Sequence, residues 1–145
     1  MFIHYEKGER LLANTEWTPA RKRAFIIAVL RQGTGRWPPK YLVVNEAKTE
    51  KKINKKTGRL AQHFKCNSCQ EEFTQKDVQV DHIIPVIDPV IGFTDWNDYI
   101  ENLFCGKENL QLLCKPCHAK KTLEERGVKN GSVSGSKNKR RSSKV

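Results

Sequence analysis

Between positions 66 and 118, two groups of side chains have the types and spacing to bind metals, move protons or brace the groups that do. Cys66 and Cys69 form one Cys-x-x-Cys pair; Cys114 and Cys117 form another. Two such pairs supply four thiolates, the ligand set of a closed tetrahedral structural zinc. The pairs stand 44 residues apart, where a zinc ribbon has about 15–20, so they clamp the two ends of a longer unit. The second group is Asp81-His82, Asn109 and His118. A neutral imidazole near pH 7 is the natural general base. A carboxylate plus a second imidazole can hold one divalent cation and leave coordination positions open. An amide both donates and accepts, so Asn109 can brace a loop. Taken singly, each residue has a plainer reading: an Asp-His pair at a surface or cap, Asn109 in a turn, His118 beside Cys117 as an alternative zinc ligand.

Those groups need elements to hold them. Val78, Val80 and His82 alternate with Gln79 and Asp81, the period-two signature of a strand, which Pro85 and Asp88-Pro89 end. Asn109 to Cys114 reads as a second short strand. Pro116 introduces a final helix that carries Cys117 and His118 and is expected to stop at Gly127. Neighbours on a helix point about 100° apart, so Cys117 can face one metal and His118 a separate site. Asp81 and His82 are in tension, because adjacent strand residues point to opposite faces; an early exit from the ladder before Pro85 is needed if both serve one site. Between the strands, Trp96, Tyr99, Ile100, Leu103 and Phe104 fall on one face of an inserted amphipathic helix spanning 95–104. The aromatic residues there read as packing groups, not base-stacking platforms. Upstream, Thr18-Pro19 starts a helix through Arg31 that Gly33-Thr34-Gly35 ends. A second helix is expected from Pro39 to about Lys52, with residues 51–59 an exposed basic linker. His4 and His63 match no motif position.

The run Cys66-Asn67-Ser68-Cys69, Val80-Asp81-His82-Ile83-Ile84-Pro85, Asn109-Leu110-Gln111-Leu112-Leu113-Cys114-Lys115-Pro116-Cys117-His118 and Lys120-Lys121-Thr122 resembles the HNH endonuclease family over roughly residues 61–125. Arg36-Trp37-Pro38-Pro39-Lys40 and Lys56-Thr57-Gly58-Arg59 resemble, more weakly, the N-terminal extension of small bacteriophage HNH proteins. The resemblance implies an α+β fold: a zinc-stapled ββα-metal core of a two-stranded hairpin and C-terminal helix, behind an N-terminal helical extension. A basic helical extension is expected at 1–60, a nuclease domain at 61–127, and a disordered basic tail at 128–145 on its Ser-, Gly-, Lys- and Arg-rich composition. Phosphodiester hydrolysis needs an activated water, charge stabilisation at the phosphate and help for the departing oxygen. On this reading His82 activates water, Asp81 and His118 hold the catalytic cation (Mg²⁺ or Mn²⁺), and Asn109 orients His82. One structural zinc takes Cys66, Cys69, Cys114 and Cys117.

Charge supports a polyanionic partner. The net charge is +11. Residues 1–60 hold 14 Lys/Arg and 5 Asp/Glu, residues 61–125 hold 6 and 11, and residues 126–145 hold 7 and none. Basic arms thus flank an acidic, cation-binding middle, and each cation paired with a phosphate releases counterions. Arg21, Lys22, Arg23, Arg36, Lys40, Lys120 and Lys121 are the expected phosphate contacts. They position without reading sequence, so low specificity for DNA is expected. No apolar stretch approaches the roughly 20 residues of a membrane span, and the N-terminal Met1-Phe2-Ile3-His4 lacks a signal-peptide pattern; a cytoplasmic monomer is expected, with phage terminase or packaging proteins as partners. Five cysteines, an odd number, argue against a disulfide framework, and Cys105 reads as a buried or free thiol. The competing readings are a non-catalytic zinc-stabilised DNA-binding or scaffold protein, which would not need Asp81, His82 and His118, and a sequence-specific restriction or homing nuclease. RNA as substrate stays open.

Overall fold

Thr18 and Pro19 open the first helix for complementary reasons. The Thr18 hydroxyl accepts the Arg21 amide at 3.3 Å, satisfying one of the donors a helix start leaves unpaired, and proline is pre-set for the first helical position. The computed structural model describes residues 17–129; His4 and the tail beyond residue 129 lie outside the described residues. The chain divides into two units between Gly35 and Arg36. In the first, helix α1 (Pro19–Gly33) buries no residue. The Trp17 and Phe25 rings meet edge to face at 5.7 Å, and the Arg21 guanidinium lies 5.8 Å from the Trp17 ring centre, within cation–π range.

The second unit begins with α2 (Pro38–Glu46). Its Val43 is buried with Phe64, Leu110 and Leu112 in one apolar cluster. The expected continuation of this helix to Lys52 is not found. α2 ends at Glu46, and Lys48–Ile53 forms strand β1, antiparallel to β2 (Leu60–Lys65). Residues 51–59 are therefore a strand end and a turn, not a linker. The turn is local chemistry: Asn54 Oδ1 accepts the Lys56 amide at 2.9 Å, the Asn54 carbonyl accepts the Gly58 amide at 2.7 Å, and Gly58 sits at φ +67°, a backbone state that favours glycine. Strand β3 (Glu72–Thr74) completes a three-stranded sheet in the order β1-β2-β3.

Strands β4 (Val78–His82) and β5 (Leu110–Cys114) form a separate antiparallel pair with Asp81 opposite Gln111 and His82 opposite Leu110. Here the alternation in the sequence is realised. β5 is nearly continuously buried: Leu110 and Leu112 join the Val43 cluster, while Leu113 packs with Cys66 and Cys114. Each such leucine contributes about 1.5–3 kcal/mol on burial. Between these strands lies α3 (Trp96–Leu103), capped by Asp95, which accepts the Asp98 amide at 3.0 Å. Tyr99 and Leu103 are its buried residues. Trp96 and Tyr99 pack edge to face with one another at 6.0 Å, and Phe104 meets Trp37 edge to face at 5.4 Å. Helix α4 (Lys115–Lys129) follows β5 without a loop. It passes through Gly127, where a stop was expected. Glycine costs a helix about 1 kcal/mol relative to alanine but ends it only where φ turns positive, and Gly127 stays out of that region. Among the described residues no helix is long and apolar enough to cross a membrane.

Candidate functional site

The four cysteines converge. Their sulfurs lie within 4.8 Å of one another, with Cys69 and Cys114 sulfurs 3.9 Å apart. Cys66 and Cys69 sit on a knuckle closed by the Gln70 amide to the Cys66 carbonyl at 3.0 Å and the Cys66 amide to the Glu71 carbonyl at 2.9 Å. Gln70 holds φ +62° to make that turn. Cys114 ends β5 and Cys117 sits in the first turn of α4, so the strand-to-helix junction itself presents the second pair. Burial raises the Cys66 thiol, but backbone N–H groups of Cys114, Cys69 and Ser68 outweigh it and hold the pKa at about 6. Cys114, under burial and beside the other thiols, is pushed up to about 12. Four thiols this close cannot all ionise without a compensating cation. The donor set therefore fits a structural zinc. His118 is not drawn into it; its ring lies elsewhere.

That ring faces Asp81: His118 Nε2 stands 3.6 Å from Asp81 Oδ1. Two donors each about 2.1 Å from one cation lie roughly 3.0–3.6 Å apart for bond angles between a right angle and 120°, so the pair has the spacing of shared ligation. The other carboxylate oxygen is used differently. Asp81 Oδ2 receives Lys121 Nζ at 2.9 Å and Gln111 Nε2 at 3.4 Å. Gln111 Oε1 in turn accepts Asn67 Nδ2 at 3.2 Å, which ties the carboxylate back to the cysteine knuckle. Sequence reasoning missed Gln111; the signal was its place as the one polar residue inside an apolar strand, facing Asp81 in register. Lys121 also donates to the His82 carbonyl at 2.8 Å and to Glu125 at 2.5 Å. Burial lowers its pKa, yet Glu125 and Asp81 outweigh that and raise it. Its ammonium thus lies beside the Asp81 carboxylate.

His82, next along β4, is hydrogen-bonded to the end of α3. His82 Nε2 donates to the Leu103 carbonyl, 3.0 Å away at the end of α3, which leaves the Nδ1 lone pair as the basic site. Burial lowers its pKa, the Leu103 carbonyl opposes the shift, and Lys40 adds to it; the neutral ring is favoured. Asn109 braces the backbone just beyond: its Oδ1 accepts the Ile84 amide at 2.9 Å and its Nδ2 faces the Ile84 carbonyl at 3.4 Å, while its own carbonyl accepts the Ile83 amide at 2.9 Å. Asp81 and His118 are therefore brought together, and the His82 ring is held by the Leu103 carbonyl at the same strand end. Among the expected phosphate contacts, Arg36 and Lys120 are exposed. Lys40 is half-buried, and burial lowers its pKa. Arg21, Lys22 and Arg23 are exposed on α1 in the first unit. Cys105 is a partly buried thiol against the Val43 cluster, and His63 Nδ1 contacts the Ala61 carbonyl at 3.0 Å.

A short antiparallel pair running straight into a helix, stapled by four cysteines, with an Asp–His pair at the junction, is the ββα-metal arrangement. Residues 66–124 match the family model described as HNH endonuclease. A "Probable HNH endonuclease" of Lactococcus phage SK1 is 39% identical over 61 residues, covering 42% of this chain and 57% of that protein. No solved structure matches the chain.

Proposed function

We propose that residues 66–124 form an HNH domain and that it is a cation-dependent endonuclease that hydrolyses DNA phosphodiester bonds with low sequence specificity. The observation that carries this reading is the 3.6 Å approach of His118 to Asp81 beside a His82 ring oriented by a main-chain carbonyl. Asp81 Oδ1 and His118 Nε2 would hold a Mg²⁺ or Mn²⁺ ion, which when bound supplies charge stabilisation to the phosphate and the departing 3′ oxygen. His82 Nδ1 takes the proton of the attacking water, and the Leu103 carbonyl fixes the ring while it does so. Asn109 keeps the chain after β4 in place and so keeps the His82 ring aligned. Low specificity follows from contacts to phosphate, which carry no base information. We extend the reading to phage DNA packaging with terminase as partner, on the strength of a basic nuclease whose relative is a phage protein.

The test is incubation of supercoiled plasmid with the zinc-loaded protein, with and without added Mg²⁺ or Mn²⁺, beside His82→Ala. Metal-dependent relaxation is expected, with cleavage by the variant down about 10²–10⁴-fold, the usual contribution of a general base. Equal cutting by both proteins rejects the assignment of His82, and intact plasmid under every condition favours the non-catalytic DNA-binding alternative.

A further inference from the structure

The hairpin of β1 and β2 takes no part in the site described above, yet its surface is unusual. Residues 48–65 contain seven basic residues and one acidic residue, Glu50. Lys52 and Lys56 are tied down, to Glu72 at 2.5 Å and Asp77 at 3.7 Å. Lys51, Lys55 and Arg59 are exposed and make no such pair among the described residues. Strand alternation puts Lys51 and Ile53 on one face with their cross-strand partners Gln62 and Leu60. That face begins at Phe64, 2% exposed in the core, and runs outward to Ile53 and Leu60, a directly paired couple each 67% exposed. The core face of the ribbon thus continues past the body of the unit, and no described residue covers it.

We propose that this ribbon is a second nucleic-acid-binding element, laid into a groove of duplex DNA, with Lys51, Lys55 and Arg59 on phosphates and the Ile53–Leu60 pair against the groove interior. A two-stranded ribbon fits the roughly 12 Å width of the major groove, and the charge complements the backbone on either side. Edge strands often carry lysines merely to block sheet-to-sheet aggregation. That role accounts for Lys51 but leaves an exposed apolar pair beside it unexplained, since such a pair raises aggregation risk unless a partner covers it. The inference deepens the nuclease reading by naming where the duplex is held, and it does not require that the bond be cut.

The experiment measures affinity for a fluorescent 20-base-pair duplex by anisotropy across a salt series, in the full chain carrying His82→Ala so that cleavage cannot intervene. The triple variant Lys51→Gln, Lys55→Gln, Arg59→Gln should bind roughly 10- to 100-fold more weakly near 100 mM salt, with the slope of log K against log salt shallower by about 2 to 3. Ile53→Ser with Leu60→Ser should lose affinity at an unchanged slope, because an apolar contact releases no counterions. Unchanged affinity in both variants overturns the proposal while leaving plasmid cleavage by the otherwise native chain to speak for the nuclease reading. A fall in melting temperature with unaltered DNA affinity assigns the apolar pair to protein packing instead. A larger loss on duplex RNA of the same sequence overturns DNA as the partner.

Discussion

Asp81 divides its two oxygens between different tasks: Oδ1 faces His118, and Oδ2 takes Lys121 and Gln111. A carboxylate fixed on one side by protein donors offers the other in a set direction, which is how outer partners orient a ligand. Gln111 is then a positioning residue, and its loss should be felt by the cation before anything else. Gln111→Leu is expected to weaken Mn²⁺ binding by about 10- to 100-fold, read by titration calorimetry, while zinc content stays at the native value. Gln111→Asn, which keeps the amide on a shorter stem, should recover part of that loss. Mn²⁺ affinity identical to native in Gln111→Leu would remove Gln111 from the site. The same scale marks what a sequence can reveal. Asp81, His82, Asn109 and His118 are side chains with recognisable chemistry in a recognisable order. The group that orients His82 is the carbonyl of Leu103, a main-chain atom that every residue has, so nothing in the letter L singles it out. Lys121 was legible as a cation, but its partners depended on the pitch of α4, which sets Lys121 and Glu125 four apart on the face that meets β4.

At the scale of elements, β4, β5 and α4 were readable because each carries its own signal: alternation in β4, a short apolar run in β5, and a proline-introduced run in the helix. β1 was not. Its Lys-Thr-Glu-Lys-Lys-Ile offers little apolar alternation, and what makes it a strand is pairing with β2 across a turn, together with the anchoring of the Lys65 amide on the Ala47 carbonyl at 2.8 Å. Tertiary pairing overrode a helix-compatible composition. The Asn54-to-Gly58 turn was the available signal, since it is flanked by Ile53 and Leu60. These elements share a dependence on the cysteine cluster, which joins the β2–β3 connection to the β5–α4 junction. Structural zinc contributes about 10–16 kcal/mol in small zinc-binding peptides, comparable to the entire 5–15 kcal/mol stability of a typical domain. Metal analysis should find one zinc per chain, and Cys114→Ser should abolish it together with the cooperative thermal transition. Cys105→Ser, outside the cluster, should keep both. Zinc retained in Cys114→Ser would break the four-sulfur assignment.

For the whole molecule, the uneven charge poses a physical problem. The segment 61–125 carries 6 basic and 11 acidic residues, so the part of the chain proposed to cut a polyanion repels it in the absence of cations. Attraction must come from the flanks, and those flanks hold 14 and 7 basic residues on the N- and C-terminal sides. On α1 the Arg21, Lys22 and Arg23 side chains are exposed. If they contact phosphates, changing all three to glutamine should make log K against log salt shallower by about 2.7, since each neutralised phosphate contributes about 0.9. Cleavage should be insensitive to the change at low salt, where binding saturates, and should fall steeply at higher salt, because phosphate contacts set occupancy and not the chemical step. A rate reduced equally at all salt concentrations would instead place these residues in the bond-breaking step, and a flat salt dependence in the unaltered protein would mean that its charge does not drive association with DNA at all.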